Sequence, residues 1–305
     1  MNSGEWEKFC ELLWFDESLG FWLDISKMGV SQNDIDDFGP RFSKAFAAMK
    51  DLEQGAFSNI DENRQVGHYW LRNPAIAPSN SIRDDIINEK LLIRQFSSDI
   101  LKRKILTNTS RQFTDVLWIG IGGSSLGPLL LVESLKEHNE GLEFHFMDNI
   151  DPWGIQKTLT NLGPNLVTTL FVVVSKSGST PEPRICMNQV RETVENQGID
   201  WASQSIAITM KNSKLYNHAK KEKWLKIFNL PDWVGGRTSI TSSVGLLACS
   251  LTGSDIDLFL EGAHLMDKLT RNTVIRSNPA ALMALVWWKA GDGKGSRDMV
   301  ILPYR

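Results

Sequence analysis

An apolar run, Leu170 to Val174, leads into Ser175-Lys176-Ser177-Gly178-Ser179-Thr180-Pro181-Glu182. Hydroxyls and a glycine between a strand and a helix start make an anion site: the first N–H groups of a helix lack intrahelical partners, its dipole is positive there, and serine and threonine add donors. A phosphate group suits that chemistry. Ser179 and Glu182 also stand at capping-box spacing, so an ordinary capped helix accounts for the same residues.

Two further loops carry related patterns. In Gly120-Ile121-Gly122-Gly123-Ser124-Ser125-Leu126-Gly127-Pro128 a strand turns through glycines into a helix expected over Leu129 to Leu135, so backbone can approach a ligand closely. Asp148 stands near the place of a ribose-binding acid, but the dinucleotide spacing fails because position 125 is serine. A Walker loop fails too, since Pro128 and Leu129 follow Gly127 where lysine and a hydroxyl residue are required. The other loop, Gly235-Gly236-Arg237-Thr238-Ser239-Ile240-Thr241-Ser242-Ser243-Val244-Gly245, sets one guanidinium between glycines and hydroxyls. Arginine there stays charged and presents a fork of donors, although a surface arginine in a capped loop would show the same pattern.

The elements that must position these loops follow from periodicity. Up to about residue 110 apolar residues recur at helical spacing, predicting helices over Glu5 to Phe15, Ser31 to Leu52 and Ile82 to Leu106, with an irregular link from Gly67 to Pro74. From Asp115 short apolar runs alternate with helical stretches: Val116 to Ile121, Leu142 to Met147, Leu170 to Val174, Ser205 to Thr209 and Lys226 to Leu230. That series predicts an α/β fold, a parallel sheet flanked by helices that gathers its loops at the carboxyl edge. Ser254 to Leu269 and Ala280 to Lys289 return to helix, and Met299 to Leu302 is expected to open a second sheet. The textural divisions fall at 1–114, 115–254 and 255–305.

The 305 residues carry 33 basic and 36 acidic side chains, a net charge of −3, with no basic block of the kind that grips nucleic acid. Anion affinity must therefore be local. Cys10, Cys186 and Cys249 are read as free buried thiols of a reducing, cytoplasmic setting, and no metal-ligand spacing or membrane-spanning run is present. The final residues, Asp298 to Arg305, read as a buried strand just entering its loop, an expectation that the polypeptide is truncated.

Together the three loops resemble the glucose-6-phosphate isomerase family in order and spacing, over nearly all of this chain but only the amino-terminal part of the family's length. The resemblance implies a three-layer sugar-isomerase (SIS) fold with an incomplete second SIS subdomain, a homodimer when full length, no cofactor or metal, and interconversion of glucose 6-phosphate with fructose 6-phosphate through an enediolate. It places Ser175, Lys176, Ser177 and Thr180 at phosphate-binding positions and Gly123 and Ser124 along the sugar. Arg237 falls beside the reacting carbons, and Glu182 takes an acidic position near the site, read as a cap first and an orienting group second. The Lys176 ammonium is left open to phosphate or to solvent. The family's catalytic glutamate, histidine and lysine fall beyond Arg305, and His68, His138, His145, His218 and His264 lie outside the three loops. Two rivals stand beside this reading. One is a non-catalytic phosphosugar-binding SIS module, which would not need the Gly-Gly-Arg loop. The other is an amino-sugar synthase, which would bring a nucleophilic amino-terminal cysteine.

Overall fold

The computed structural model of the chain describes residues 3–135 and 141–302. Contacts divide it into two compact units, Met1–Asp51 with Glu261–Arg305, and Leu52–Leu260.

The first unit begins with α1 (Ser3–Leu12), which stops short of the expected Phe15. Leu13-Trp14-Phe15 and Phe21-Trp22 favour extended backbone, and they pair as an antiparallel hairpin of β1 (Leu13–Asp16) and β2 (Phe21–Asp24). The Asp16 carboxylate closes the turn by accepting from Ser18 Oγ at 2.6 Å and Leu19 N at 3.0 Å. The helix expected over Ser31 to Leu52 is two helices, α2 (Gln32–Asp37) and α3 (Gly39–Glu53). Ser31 and Asp34 cap the first reciprocally, and Pro40, which has no N–H to continue a ladder, restarts the chain in the first turn of the second.

The second unit opens where an irregular link was expected. Buried Trp70 and Leu71 instead draw His68–Arg72 into a short helix, α4, with Trp70 Nε1 donating to Glu53 O at 2.9 Å. Then come α5 (Asn80–Leu101), β3 (Asp115–Ile119), α6 (Leu126–Leu135), β4 (Glu143–Met147), α7 (Pro152–Leu162), β5 (Thr169–Val174), α8 (Pro181–Asn196), β6 (Ser205–Thr209), α9 (Lys214–Lys221), β7 (Lys226–Asn229) and α10 (Ser243–Leu251). The strands form one parallel sheet in the order β4-β3-β5-β6-β7. Alternate residues face opposite layers. Val116, Trp118, Leu170, Val172 and Ile206 pack with residues of α5, α6 and α10, while Leu117, Ile119, Phe171, Val173 and Ala207 pack with α7, α8 and α9. Burial on both faces makes these strands continuous apolar runs, each large side chain contributing about 1.5–3 kcal/mol.

The chain then enters α11 (Ile256–Thr270), whose Ile256 and Leu260 join the second unit's core, and α12 (Pro279–Ala290). An exposed apolar face is expected over Ala281 to Trp288, but Ala281, Leu282, Leu285 and Val286 are buried against Leu12, Ile25, Val30, Ile35 and Phe42 of the first unit. Trp287 and Trp288 are the large side chains of that stretch that stay exposed, and Trp288 lies edge-on to Phe38 at 4.6 Å. The expected strand at Met299 to Leu302 does not form. Each of the four is more than half exposed and none pairs with a strand among the described residues, and a strand exists only through its ladder. All three cysteines are free as expected, but Cys10 is exposed, on the outer side of α1, rather than buried.

Candidate functional site

The sheet order places the site. After β3 the chain runs to β4 on one side, then crosses back to β5 on the other, so β3 and β5 send their carboxyl-end loops apart and leave a crevice between them. A cavity of about 250 Å³ occupies it, lined by Ile121 and Ser124 after β3, by Val174, Ser175, Lys176, Ser177, Thr180 and Pro183 after β5, by Met210 after β6, and by Glu62 and Arg64.

The loop after β5 is braced from below. Ser175 is buried; its N–H donates to Ile208 O at 3.1 Å, its Oγ accepts from Gly178 N at 3.2 Å, and its carbonyl accepts from Thr209 Oγ1 at 2.7 Å. Gly178 has φ +66°, and a Cβ there would stand 2.2 Å from Leu215 N at the start of α9, so no other residue fits without movement. Ser177 and Ser179 share a hydrogen bond between their hydroxyls at 2.6 Å. The capping box expected from Ser179 and Glu182 is absent: Thr180 is the N-cap, makes no side-chain cap bond, and leaves Glu182 at the second helical position. Glu182 Oε2 is buried without a hydrogen-bond partner among the described residues. The prolines at 181 and 183 also remove two N–H groups from this helix start, leaving hydroxyls as a larger share of its donors.

Lys176 joins this loop to the next. Its Nζ donates to Asp232 O at 2.6 Å and Val234 O at 2.7 Å, so the ammonium is held by carbonyls rather than pointed at an anion or left in solvent. Burial, and after it the Arg64 charge, push its pKa below the ordinary lysine value.

The loop from Gly235 to Ser242 packs on the one after β3. Gly123 lies so close to it that a Cβ would stand 1.8 Å from Gly236 O, and Ser239 Oγ donates to Gly123 O at 3.2 Å. Trp118 Nε1, from within the core, fixes the same turn by donating to Ser124 O at 2.8 Å. Arg237 is exposed on the short turn Gly236–Thr238. The cavity thus gathers Ser124, Ser175, Lys176, Ser177 and Thr180, while Gly123, Glu182 and Arg237 stand outside its lining.

Sequence reasoning passed over three residues here. Glu62 and Arg64 come from a polar, non-periodic stretch that carries no motif. Glu89, inside α5, accepts from Asn229 N at 2.8 Å and Ser243 Oγ at 3.2 Å, tying the end of β7 to the start of α10 and so fixing both ends of the arginine loop. Burial raises its carboxyl above the ordinary value. No described histidine is in the cavity's lining. His145 pairs with Asp115 at 2.9 Å and His218 with Glu222 at 3.4 Å, while His138 lies outside the described residues. Burial lifts the Cys249 thiol to about 11 and raises Cys186, which keeps both protonated at neutral pH. Among the described residues no three acids, histidines or cysteines converge as metal ligands, and no helix is long and apolar enough to cross a membrane.

The family model described as phosphoglucose isomerase matches residues 31–305. The chain is 58% identical over 300 residues to the glucose-6-phosphate isomerase of Prochlorococcus marinus subsp. pastoris, covering 98% of this chain and 57% of that protein. It is 56% identical over 301 residues to the glucose-6-phosphate isomerase of Parasynechococcus marenigrum, covering 99% and 55%. The crystal structure of a glucose-6-phosphate isomerase from Chlamydia trachomatis superposes with a TM-score of 0.80 at 26% identity, over 94% of this chain and 56% of that one. The chain therefore spans little more than half the length of the curated relatives it matches.

Proposed function

The chain belongs to the phosphoglucose isomerase family, and we propose that it builds the phosphosugar-holding part of an enzyme that interconverts glucose 6-phosphate and fructose 6-phosphate. The observation that carries this reading is the hydroxyl-lined cavity at the switch point between β3 and β5, closed by the Ser175–Thr180 loop.

Ser175, Ser177 and Thr180 hold the phosphate, and Gly123 and Ser124 line the sugar. Lys176 serves that site by joining two loops, its ammonium already engaged by the carbonyls of Asp232 and Val234. Glu182 orients the loop from the second position of α8. Once the ring opens, a base moves a proton between C2 and C1 through an enediolate, and a cation must hold the charge that develops on oxygen. Arg237 takes that role; its guanidinium stays ionised, so it stabilises the oxyanion without protonating it, an effect of about 10²-fold or more in rate. The reaction redistributes electrons within one sugar and calls for no cofactor. The cavity lining supplies hydroxyls and two cations but no histidine, so the described residues are expected to bind substrate without turning it over. The enzyme so proposed acts in the cytoplasm as a homodimer.

Titration calorimetry with glucose 6-phosphate, beside a coupled isomerisation assay, tests the reading. Binding without turnover is expected of the 305-residue chain. Robust turnover would place the base within these residues, and absence of binding would remove the site.

A further inference from the structure

A phosphate brings about two negative charges into this cavity, yet most of what the loop offers is neutral. Ser124, Ser175, Ser177 and Thr180 contribute hydroxyls. The helix start behind them has lost two N–H groups to Pro181 and Pro183. The Lys176 ammonium is taken up by two carbonyls of the neighbouring loop. A partly enclosed dianion with only neutral donors is poorly compensated, because desolvating charge costs more than neutral hydrogen bonds return.

The other cation on the cavity wall is Arg64. Its backbone is fixed by reciprocal bonds with Asn59, Arg64 N to Asn59 O at 3.0 Å and Asn59 N to Arg64 O at 3.2 Å. Its side chain is 28% exposed, and one guanidinium nitrogen meets Glu62 Oε2 at 3.2 Å. Glu62 is 54% exposed and shares the same oxygen with Asn59 Nδ2 at 3.0 Å, so the carboxylate is already occupied and largely solvated. Arg64 and Lys176 also lie near enough for the arginine to depress the lysine's pKa. Two cations thus face one exposed carboxylate across a hydroxyl-lined space, an arrangement that an entering dianion relieves.

We propose that Arg64 supplies the counter-charge for the substrate phosphate, its guanidinium closing on the anion opposite Ser177 and Thr180, with Glu62 holding the side chain in place until then. This inference rests on the phosphosugar reading above and assigns the charge partner that reading leaves open.

The test uses the intact 305-residue chain with inorganic phosphate and, separately, glucose 6-phosphate, titrated at two ionic strengths. Arg64→Gln is expected to weaken both ligands about 10- to 100-fold, the range for removing one charge-assisted hydrogen-bonding partner, and to flatten the dependence on salt. Arg64→Lys is expected to recover part of the affinity and most of the salt dependence. Equal affinity for wild type and Arg64→Gln overturns the assignment while leaving the phosphosugar site intact. No binding of either ligand by wild type removes the site, and the role of Arg64 with it. Should Arg64→Gln fail to fold, Glu62→Gln decides: tighter phosphate binding supports the competition between carboxylate and phosphate for one guanidinium, and unchanged or weaker binding refutes it.

Discussion

Replacing Gly178 by alanine puts the phosphate loop's architecture to a direct test. The residue sits at φ +66°, where an L side chain costs about 1–2 kcal/mol. The added Cβ would stand 2.2 Å from Leu215 N, 2.8 Å from its Cβ and 3.0 Å from its Cα, so the contact must open by about 1 Å, an overpacking cost of roughly 1–3 kcal/mol. The obstacle cannot rotate away, being mostly the backbone of α9's first turn. That turn is pinned to the same loop by Lys214 N donating to Ser177 O at 3.3 Å, and to the end of β6 by Ser213 Oγ sharing a hydrogen bond with Thr209 Oγ1 at 2.7 Å. The strain therefore falls on the loop, displacing the Ser177 and Thr180 hydroxyls together. Gly178→Ala is expected to lose about 2–5 kcal/mol in urea unfolding, and inorganic phosphate affinity is expected to fall about tenfold or more. Gly236→Ala is the matched control, because nothing stands within 4 Å of its Cβ and its φ is not positive; it should leave stability within about 1 kcal/mol. If Gly178→Ala keeps wild-type stability and affinity, the picture of a loop locked against α9 is wrong.

Two other substitutions separate positioning from binding. Lys176→Met removes both struts to Asp232 and Val234, so amide exchange should quicken across Asp232 to Gly236, while phosphate affinity falls less than in Arg64→Gln. An affinity loss as large as that of Arg64→Gln would make Lys176 a ligand instead. Glu89→Gln addresses pH. A raised carboxyl binds its proton more tightly folded than unfolded, so its stabilising contribution is whole below the ordinary carboxylate value and is lost as pH rises through the raised one. Urea midpoints of wild type relative to Glu89→Gln should therefore decline with pH across that window, and a flat difference would refute the assignment.

The sheet was legible because its strands are buried on both faces, which turns each into an uninterrupted apolar run such as Leu170 to Val174. Elements with mixed signals were not. Trp14 and Phe15 satisfy helical spacing from α1 as well as they satisfy a strand, and only pairing with Phe21 to Asp24 decides between the two. Met299 to Leu302 has the strand composition and lacks a ladder among the described residues. At the site, the loop motifs announced phosphate chemistry, but Arg64 reaches the cavity across more than fifty residues of chain with no periodicity to mark it. Glu89 looks in sequence like any charge on a solvated helix face; its function emerges only from the amide and hydroxyl that fold against it. Ser179 and Glu182 show the reverse error, a correct spacing whose geometry is set aside because Pro181 starts the helix one residue later.

The contact between Gly123 and Gly236 bears on how this protein can change over time. What confronts position 123 is a carbonyl oxygen, a group that every amino acid carries. No exchange of side chain at 236 can make room for a larger neighbour, so the pair cannot drift by compensating substitutions as two packed side chains do. A strain carrying Gly123→Ala should accordingly yield no point revertants at position 236, and suppressors should instead alter the length of the segment between Leu230 and Ser242, where an inserted or deleted residue can move the main chain itself.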